Sequence, residues 1–590
     1  MNLPFRAPVA ALLLSAAATA QLHVPGQYPT IQSAIYAAQP GAEILVAPGT
    51  YVITDAINTL GKALTLRADG QVILDGMGVA RIFQFNNLET PNTVIQGFVI
   101  QNGHGGNGGY GGVLHGTGGG AVLILSASPM FIDCEFRNCV GGDGHVGGTS
   151  SMTGDGATGG RGGDGGAVYS SQGDPLFYRC RFLSNRGGRG GDGGSGDDGA
   201  GNGAAGRPGG DGGRGGHGGA VHVTGTSPVV TFVHCLFAEN TAGAGGQGGA
   251  AGDGADGGII FGQWTGLGGN GGAGGSGGNG GNSTVYAYTG ATLWFESCTF
   301  ADNFPARGGT PGIGGVGGQG LLPGQPGAFG PQGAHGLETG IHGTATSAID
   351  NSAFWNHVTA PGIAGQLPTV DLTGGIVANR CAGRAALPSN SAVLLVADPF
   401  DADYSPLLGS PLIDAADALL LPVNITLDLD RRERRFDHQA VPGVLDIGAL
   451  EDRTGEYFSH GCTANAPGTI GTSGTPALGA PLQITVDAPS QFFPTPSIAV
   501  LAASVVGPIP GCSVMLPGFH MDPSLPGALL LQQPFVVAAA LWTGTPTALP
   551  IVVPNNQQLL AEWLWLQGAM LDPSTGHIGL TGGLRVYLGE

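Results

Sequence analysis

Phe131-Ile-Asp-Cys-Glu-Phe-Arg-Asn138 decides the fold, because it is the first of several near-copies of one short pattern. A complete copy carries a phenylalanine, a cysteine three residues later, a second phenylalanine two residues further on, and an asparagine near its end. The other copies are Phe177-Tyr-Arg-Cys-Arg-Phe-Leu-Ser-Asn185, Phe232-Val-His-Cys-Leu-Phe-Ala-Glu-Asn240, Phe295-Glu-Ser-Cys-Thr-Phe-Ala-Asp-Asn303 and the degenerate Ile349-Asp-Asn-Ser-Ala-Phe-Trp-Asn356. A repeated unit of this length cannot bury its apolar face alone, so the copies must stack on one another.

The spacing between copies varies although the pattern does not. The cysteines of the four complete copies are 46, 55 and 63 residues apart, which predicts constant coils that carry loops of variable length. We expect each copy to form a strand with its cysteine and second phenylalanine facing inward, since residues two apart share one face of a strand. Stacking then aligns the cysteines, the phenylalanines and the asparagines in ladders. Asparagine suits this place because it tolerates left-handed turns and hydrogen-bonds along a stack.

The cysteine ladder has two interpretations. Cys134, Cys180, Cys235 and Cys298, continued by Ser352, could form disulfides or a metal site. We favour buried free thiols, because cysteine packs as a small hydrophobic residue and aromatic side chains flank the ladder.

Glycine-rich segments separate the copies. Most of the 115 glycines lie between Gly103 and Gly340, where the sequence often repeats Gly-Gly-x with x any residue, as in residues 268–281. One interpretation is a disordered linker. The other is an ordered bundle, since a chain with three residues per turn, as in polyproline II, places x on one edge and bare glycine on the other two. The high entropy cost of ordering glycine opposes the bundle, and the sequence leaves both interpretations open.

The motif and its flanks resemble the right-handed parallel β-helix proteins of the pectin-lyase-like superfamily, and are also similar to repeats of bacterial polymorphic surface proteins. The resemblance begins with Thr30-Ile-Gln-Ser-Ala-Ile35 and Pro48-Gly-Thr-Tyr51, which look like the N-terminal cap of the family. It ends with Ser410–Asp417, Asp428–Asp430 and Asp446–Glu451, which look like the closing segment of choice-of-anchor Q proteins, although Arg431 stands where that pattern usually has glycine.

What the resemblance implies is an all-β fold. It predicts a right-handed parallel β-helix over residues 21–453, with the glycine-rich loop insertions within 103–340. It does not indicate an activity, because one fold hosts many functions.

A second domain is predicted over residues 454–590, where the glycine-rich loops stop. Short alternating apolar runs broken by Pro and Gly favour a C-terminal β-sandwich. Cys462 and Cys512 are the two cysteines of this domain, and we expect them to form a disulfide, with two buried thiols as the alternative.

Residues 1–20 are typical of a secretory signal peptide. Arg6 supplies the positive charge, Val9–Ala18 is an apolar run too short to span a bilayer, and small residues precede Gln21. No later uninterrupted apolar run reaches about 18 residues, so no membrane span is expected. These features predict a secreted protein, extracellular or at the cell surface.

The charge balance limits the classes of molecule that the chain is expected to bind. The 590 residues include 21 Lys and Arg against 41 Asp and Glu, a net charge of −20, which argues against nucleic acid as a partner. A polysaccharide or a cell-surface glycan is the partner that we expect, and the oligomeric state stays open. Aspartates in the loops favour calcium only weakly, because arginines are interleaved with them and no calcium-binding nonapeptide repeats. We therefore expect no cofactor, with calcium as the alternative.

One group of residues could carry chemistry on the outer face of the stack. Stacking in register places two carboxylates, two guanidinium groups and an imidazole on successive coils: Asp133, Glu135, Arg179, Arg181 and His234. Two carboxylates on alternate residues of a strand lie about 6.5–7 Å apart, a separation that can suit an inverting hydrolase. Cross-strand ion pairs that stabilise the stack account for the same residues, and adjacent arginines oppose the raised pKa that a general acid needs.

Two functions follow from these patterns. The first is an exported scaffold for adhesion or glycan binding without catalysis. The alternative is a polysaccharide lyase or glycoside hydrolase that acts on an acidic glycan through the face around Asp133 and Arg179. An enzyme should show a concave cleft with a carboxylate that no arginine contacts, whereas a scaffold should show a flat face with these pairs closed.

Overall fold

The computed structural model describes most of the chain from residue 21 to residue 355, with gaps at 109–114, 151–152, 289, 337 and 345. Beyond residue 355 it describes shorter stretches, chiefly 370–373, 376–383, 428–429, 448–450, 456–460, 469–473, 481–504, 514–517, 526–552 and 563–587. The predicted signal peptide, Cys462 and Cys512 lie outside the described residues. The chain divides into two compact units, Met1–Glu451 and Asp452–Glu590.

The first unit is built from parallel strands in three columns, as an all-β fold requires. Column A comprises the strands Gln21–Val24, Glu43–Val46, the first half of Thr65–Asp75, the first half of Val94–Gln101, Met130–Ile132, Leu176–Tyr178, Val229–Val233, Thr292–Glu296, Ala348–Asp350 and Val377–Asn379. Column B comprises Gly49–Val52, the second halves of Thr65–Asp75 and Val94–Gln101, Glu135–Arg137, Arg181–Leu183, Leu236–Ala238, Thr299–Ala301, Ala353–Trp355, Ala382–Gly383 and Val393–Leu394.

Column C comprises Phe83–Phe85, Val122–Leu125, Val168–Ser171, Val221–Thr224, Val285–Ala287, Glu338–His342 and Val370–Thr373. Two short antiparallel pairs lie outside the columns: Ile259–Ile260 with Gln263–Trp264, and Ala416–Asp417 with Val444–Leu445. From residue 122 to residue 301 the chain visits columns C, A and B in the same order and then enters a glycine-rich segment before it returns to column C.

The predicted phenylalanine ladders are confirmed. Phe131 lies in register with Phe177, and Phe136 lies in register with Phe182, and both ladders continue over the following strands. Rings within a ladder are stacked with centroids 5.1 Å apart for the first pair and 4.8 Å apart for the second. Each such contact adds about 0.5–1.5 kcal/mol to the free energy of burial, so the ladders hold the coils in register.

A short helix covers the first coil. The segment that resembles an N-terminal cap forms the α-helix Ile31–Ala37, and Thr30 caps it by accepting the N–H of Ser33. Ile31, Ala34 and Ile35 face the core, as their spacing predicts. The helix therefore covers the apolar end of the stack.

The second unit consists of antiparallel strands. Five strands form one sheet in the order Glu456–His460, Ile578–Tyr587, Trp563–Leu571, Ser497–Ser504 and Phe535–Trp542. Three more, Thr469–Ser473, Pro481–Asp487 and Thr547–Val552, form a second sheet, and Met515–Pro517 pairs with Pro526–Ala528. Ile484 of the second sheet and Leu501 and Leu566 of the first belong to one buried core.

Candidate functional site

A bend between columns A and B places the candidate residues. The repeat was expected to form one strand, but the structure divides it into Met130–Ile132 and Glu135–Arg137. Asp133, at the bend, has a left-handed φ of 54°, and Arg179 and His234 repeat it at 50° and 53°. This conformation costs a non-glycine residue roughly 1 kcal/mol or more. Each coil offsets the cost with an inter-coil bond, such as that from the Asp133 N–H to the Tyr178 carbonyl at 3.0 Å.

Asp133 and Arg179 form a closed ion pair on neighbouring coils. Arg179 Nε lies 2.6 Å from Asp133 Oδ1, and Nη2 lies 3.0 Å from Oδ2. The Arg179 side chain is only 10% exposed and the Asp133 side chain only 5%. The guanidinium also lies 4.2 Å from the centre of the Tyr178 ring. Burial alone would lower the pKa of Arg179, but the bonds to Asp133 raise it above its usual value. The pair therefore holds two coils together as a bidentate, buried contact.

Glu135 also lies among guanidinium groups. Its Oε1 lies 3.1 Å from Nη1 of Arg137, and Arg181 occupies the in-register position on the next strand of column B. Arg137 in turn donates from Nε to Oε1 of Gln101 at 2.9 Å. Both candidate carboxylates thus accept bonds from arginine, whereas a general acid must carry a proton that it can donate to the leaving group.

A cleft of about 240 Å³ lies over these residues. The side chains and backbone that line it are Gly97, Phe98, Val99, Asp133, Cys134, Glu135, Arg179, Arg181 and Leu429. Four of the five candidate residues are therefore brought together around one concave surface. His234 is not among them: it is fully buried one coil further on, with its ring 6.2 Å from that of Tyr178.

A segment near residue 450 covers the next coils of the same face. Leu429, Ala449 and Leu450 pack against Leu236 and Ala238 in a small buried cluster. The Ala449 N–H donates to Thr299 Oγ1 at 2.9 Å, and the Gly448 N–H donates to the Asn351 carbonyl at 2.9 Å. The expectation that His234 lies on the outer face with the other candidate residues is wrong, because it is buried, as is Leu236 two residues later. Residues 446–451 resemble a closing segment in sequence, but nothing in the sequence indicates which face they cover.

The cysteines of the repeat are free, and the metal and disulfide interpretation is wrong for the described thiols. Cys180 Sγ donates to the Phe131 carbonyl of the preceding coil at 3.6 Å, and Cys235 Sγ repeats the contact with Phe177 at 3.5 Å. Burial raises the pKa of Cys134, Cys180 and Cys235 well above the usual value of a thiol. A thiol in this state is a poor nucleophile at neutral pH.

The asparagine ladder is confirmed as a hydrogen-bonded file. Asn185 Nδ2 donates to Asn240 Oδ1, and Asn240 Nδ2 donates to Asn303 Oδ1, each at 3.0 Å. The left-handed turn falls on the asparagine itself at Asn138 in the first copy, as expected, but one residue before it, at Ser184 and Glu239, in the next two copies. The ladder thus ties successive coils together at the point where the glycine-rich segments leave.

The glycine-rich segments form an ordered array, which we call the glycine slab. It comprises residues 104–108, 115–119, 140–149, 155–166, 186–199, 203–218, 241–258, 266–282 and 306–336. Donors recur every third residue, the periodicity of polyproline II. Gly190 donates to Ala244 of the next-but-one segment, and Gly191 donates to Gly160 of the preceding one, each at 2.8 Å. Repetition of this pattern arranges alternate segments in two layers, so the disordered-linker interpretation is wrong.

Polar x residues complete the slab. Their side chains accept the N–H of an x residue on the next-but-one segment, as Asp192 Oδ1 does from Gln247 at 2.7 Å and Asp211 Oδ1 from Ser276 at 2.7 Å. These bonds give the loop aspartates a role that needs no calcium. Within the part of the chain that the structure describes, no three His, Cys, Asp or Glu side chains are grouped as a metal site would require.

The last segment ends the slab. In residues 321–336 the glycine that would donate to a further segment is replaced by Pro323, Pro326, Phe329, Gln332 and His335. Proline has no N–H, and the other side chains occupy the space that a further segment would need. The slab thus has a closed edge.

No known protein family matches the chain, and no curated protein matches its sequence. The helices within the described residues are all too short or too polar to cross a bilayer.

Proposed function

We propose that the chain is an exported scaffold that presents a rigid surface for adhesion or glycan binding and carries out no catalysis. In this proposal residues 1–20 direct export, a right-handed parallel β-helix of the pectin-lyase-like kind forms residues 21–453, and a β-sandwich forms residues 454–590. The protein then works outside the cell or at its surface.

The three columns support the β-helix proposal. Their strands are parallel and follow one another in a constant order, as the coils of a β-helix do. Crossovers between parallel strands are right-handed in about 98% of cases, which favours the right-handed form. The two antiparallel sheets around one core support a sandwich for the second unit.

The observation that carries the scaffold proposal is the closed Asp133–Arg179 pair. A catalytic carboxylate must exchange a proton or attack the substrate, whereas both Asp133 oxygens are bonded to one buried guanidinium. Glu135 lies against Arg137, and the adjoining coils are covered by the segment around Leu450. The thiols, the asparagine ladder and the slab likewise direct their bonding groups at the stack itself.

The cleft beside this pair is the glycan-binding surface that we propose. Arg181 and Glu135 line it and are placed to contact hydroxyl or carboxylate groups of a sugar chain. An acidic polysaccharide is the class that we propose, because the Arg181 guanidinium lines the cleft outside the closed Asp133–Arg179 pair.

The test is a screen of the purified chain against acidic and neutral polysaccharides that scores binding and new reducing or unsaturated ends. We expect binding of an acidic glycan without new ends. Arg181→Ala should weaken binding at least about tenfold, the loss of one charge-assisted contact. Glu43→Ala is the matched control, because the Glu43–Arg67 pair at 2.6 Å is a similar cross-strand contact away from the cleft. Equal loss in both variants, or no binding at all, would contradict the proposal.

A second candidate function is a polysaccharide lyase or glycoside hydrolase. The concave cleft with two carboxylates and two guanidinium groups favours it. New chain ends that disappear in Asp133→Ala but persist in Glu43→Ala would establish this alternative and refute the scaffold proposal.

A further inference from the structure

Three histidines in the slab act as hydrogen-bond acceptors for backbone N–H groups. Nδ1 of His115 accepts from Arg161 at 3.0 Å, Nδ1 of His217 from Asn282 at 2.9 Å, and Nδ1 of His335 from Gly308 at 3.2 Å. A backbone N–H can only donate, so Nδ1 must carry a lone pair in each case. The bonds therefore exist only while the imidazole is neutral with its proton on Nε2.

His115 and His217 occupy the x position that Asp and Asn fill elsewhere. Asn279 Oδ1 accepts from Ala334 at 2.9 Å, and Asp211 Oδ1 accepts from Ser276 at 2.7 Å, in the same inter-segment geometry. An amide oxygen accepts at every pH, and a carboxylate accepts until roughly pH 4. Imidazole is the x residue that loses its acceptor between about pH 7 and pH 5.

We propose that the slab is an acid-sensitive clasp, in which protonation of these histidines removes their acceptor lone pairs and opens the segments that they hold. An imidazolium presents an N–H to the backbone N–H that it formerly accepted, so the contact becomes repulsive. The bond of His335 joins the last two segments of the slab, and the bond of His217 joins residues 203–218 to residues 266–282. Acidification thus loosens the slab at these contacts.

His217 lies in a cluster of titratable groups at the base of the slab. Its own N–H donates to Asp164 Oδ1 at 2.6 Å, and its ring stacks on Tyr286 with centroids 4.3 Å apart. The groups that face it or the adjoining rings are Asp164, Arg214, Tyr169, His222, Tyr286 and His342.

His222 adds to the acid response. It is buried between Tyr169 and Tyr286, with centroids 5.3 and 5.5 Å away. Burial lowers the pKa of His222, and the charge of Asp164 reverses only part of that. Protonation therefore favours a state in which this ring has left the stack.

The test compares amide exchange at pH 7.5 and pH 5.5, corrected for the intrinsic pH dependence of exchange and followed by mass spectrometry. The peptide that contains Asn282 should lose about three- to tenfold of its protection at the lower pH, which is the loss of one hydrogen bond. The peptide that contains Asp253, whose N–H donates to Asp198 Oδ1 at 2.8 Å, is bonded to none of the three histidines and serves as the internal reference. Carboxylates stay ionised over this range, so they do not contribute.

Two variants make the test decisive. His217→Asn supplies an amide oxygen at the same place and should keep the bond of Asn282 at both pH values. Asp198→His is the converse change and should make the protection of Asp253 sensitive to acid. Equal protection of Asn282 at both pH values in the unmodified chain would overturn the proposal, as would an acid loss that persists in His217→Asn.

Discussion

Replacement of Gly213 by alanine tests whether the glycine slab is an ordered, bonded structure. Gly213 lies inside the slab, where it donates to the Gly191 carbonyl at 2.8 Å. A Cβ at this residue would lie 2.6 Å from the Gly160 carbonyl carbon and 2.8 Å from the Gly159 oxygen, and closer still to the Gly160 oxygen. Ordinary contacts of a Cβ begin near 3.4 Å, so the segments would have to separate by about an ångström.

The cost follows from the bonds around this residue. Separation weakens the bonds that join the two clashing segments, from Gly159 to Asp211 and from Gly162 to Arg214, at about 1 kcal/mol each. Overpacking adds about 1–3 kcal/mol. Alanine restricts the unfolded chain and returns about 0.4–1 kcal/mol. We therefore expect Gly213→Ala to lower the local free energy of opening by about 2–4 kcal/mol.

The assay is amide exchange over residues 155–282, measured on the intact chain. Gly148→Ala is the matched control, because a Cβ there has no atom within 4 Å and the backbone is not left-handed. It should leave exchange unchanged or slow it slightly. If Gly213→Ala exchanges like Gly148→Ala, the slab is not packed as described and the reasoning fails.

Three further outcomes are expected. Asp133→Ala leaves a buried guanidinium unpaired and should lower the free energy of unfolding by about 3–5 kcal/mol. The double variant Asp133→Ala with Arg179→Ala should recover part of that loss. A loss in the double variant as large as the sum of the two single losses would rule out coupling between the side chains. The repeat thiols should resist alkylation at pH 8 until the chain is unfolded, because burial raises the pKa of Cys180 and Cys235 well above that of an unfolded thiol. The stability that this shift contributes is present below the unfolded pKa of about 8.5 and is lost as the pH rises through the folded value. Fast labelling of the native chain would contradict the burial. Asn240→Leu should lower the melting temperature more than Asn58→Leu, since Asn240 is buried in the ladder and Asn58 lies near the surface, and equal effects would count against the ladder.

The ladders could be predicted from the sequence, whereas the bend between the columns could not. Phe131, Cys134 and Phe136 repeat at constant offsets, and constant offsets imply one register. The left-handed φ of Asp133 has no such signal, because its counterparts on later coils include Arg179 and His234, which share no turn preference. The interpretation of one continuous strand failed at this residue for that reason.

The glycine slab and the segment around Leu450 illustrate two other limits of prediction from the sequence. The three-residue period of glycine predicts which edge of each glycine-rich segment carries no side chain. Whether the segment is ordered despite the entropy of glycine depends on the carbonyl groups that accept its N–H bonds, and those groups lie on other segments. The carboxylates and arginines of the candidate site were predicted as neighbours from register alone, and four of them do line one cleft. The burial of Leu236 depends on a segment around Leu450, some two hundred residues away, and no local pattern reports it.

Cross-linking between coils tests the central claim most directly, namely that residues from distant copies of the repeat lie side by side. Leu125 lies in register with Ser171, and Ser171 with Thr224, at the same end of three successive strands of column C. Adjacent strands are about 4.8 Å apart, within disulfide range, and next-but-one strands are twice that. Oxidation of Leu125→Cys with Ser171→Cys should yield a disulfide peptide by mass spectrometry, and Leu125→Cys with Thr224→Cys should not. No bond in the first pair, or a bond in both, would contradict the stack.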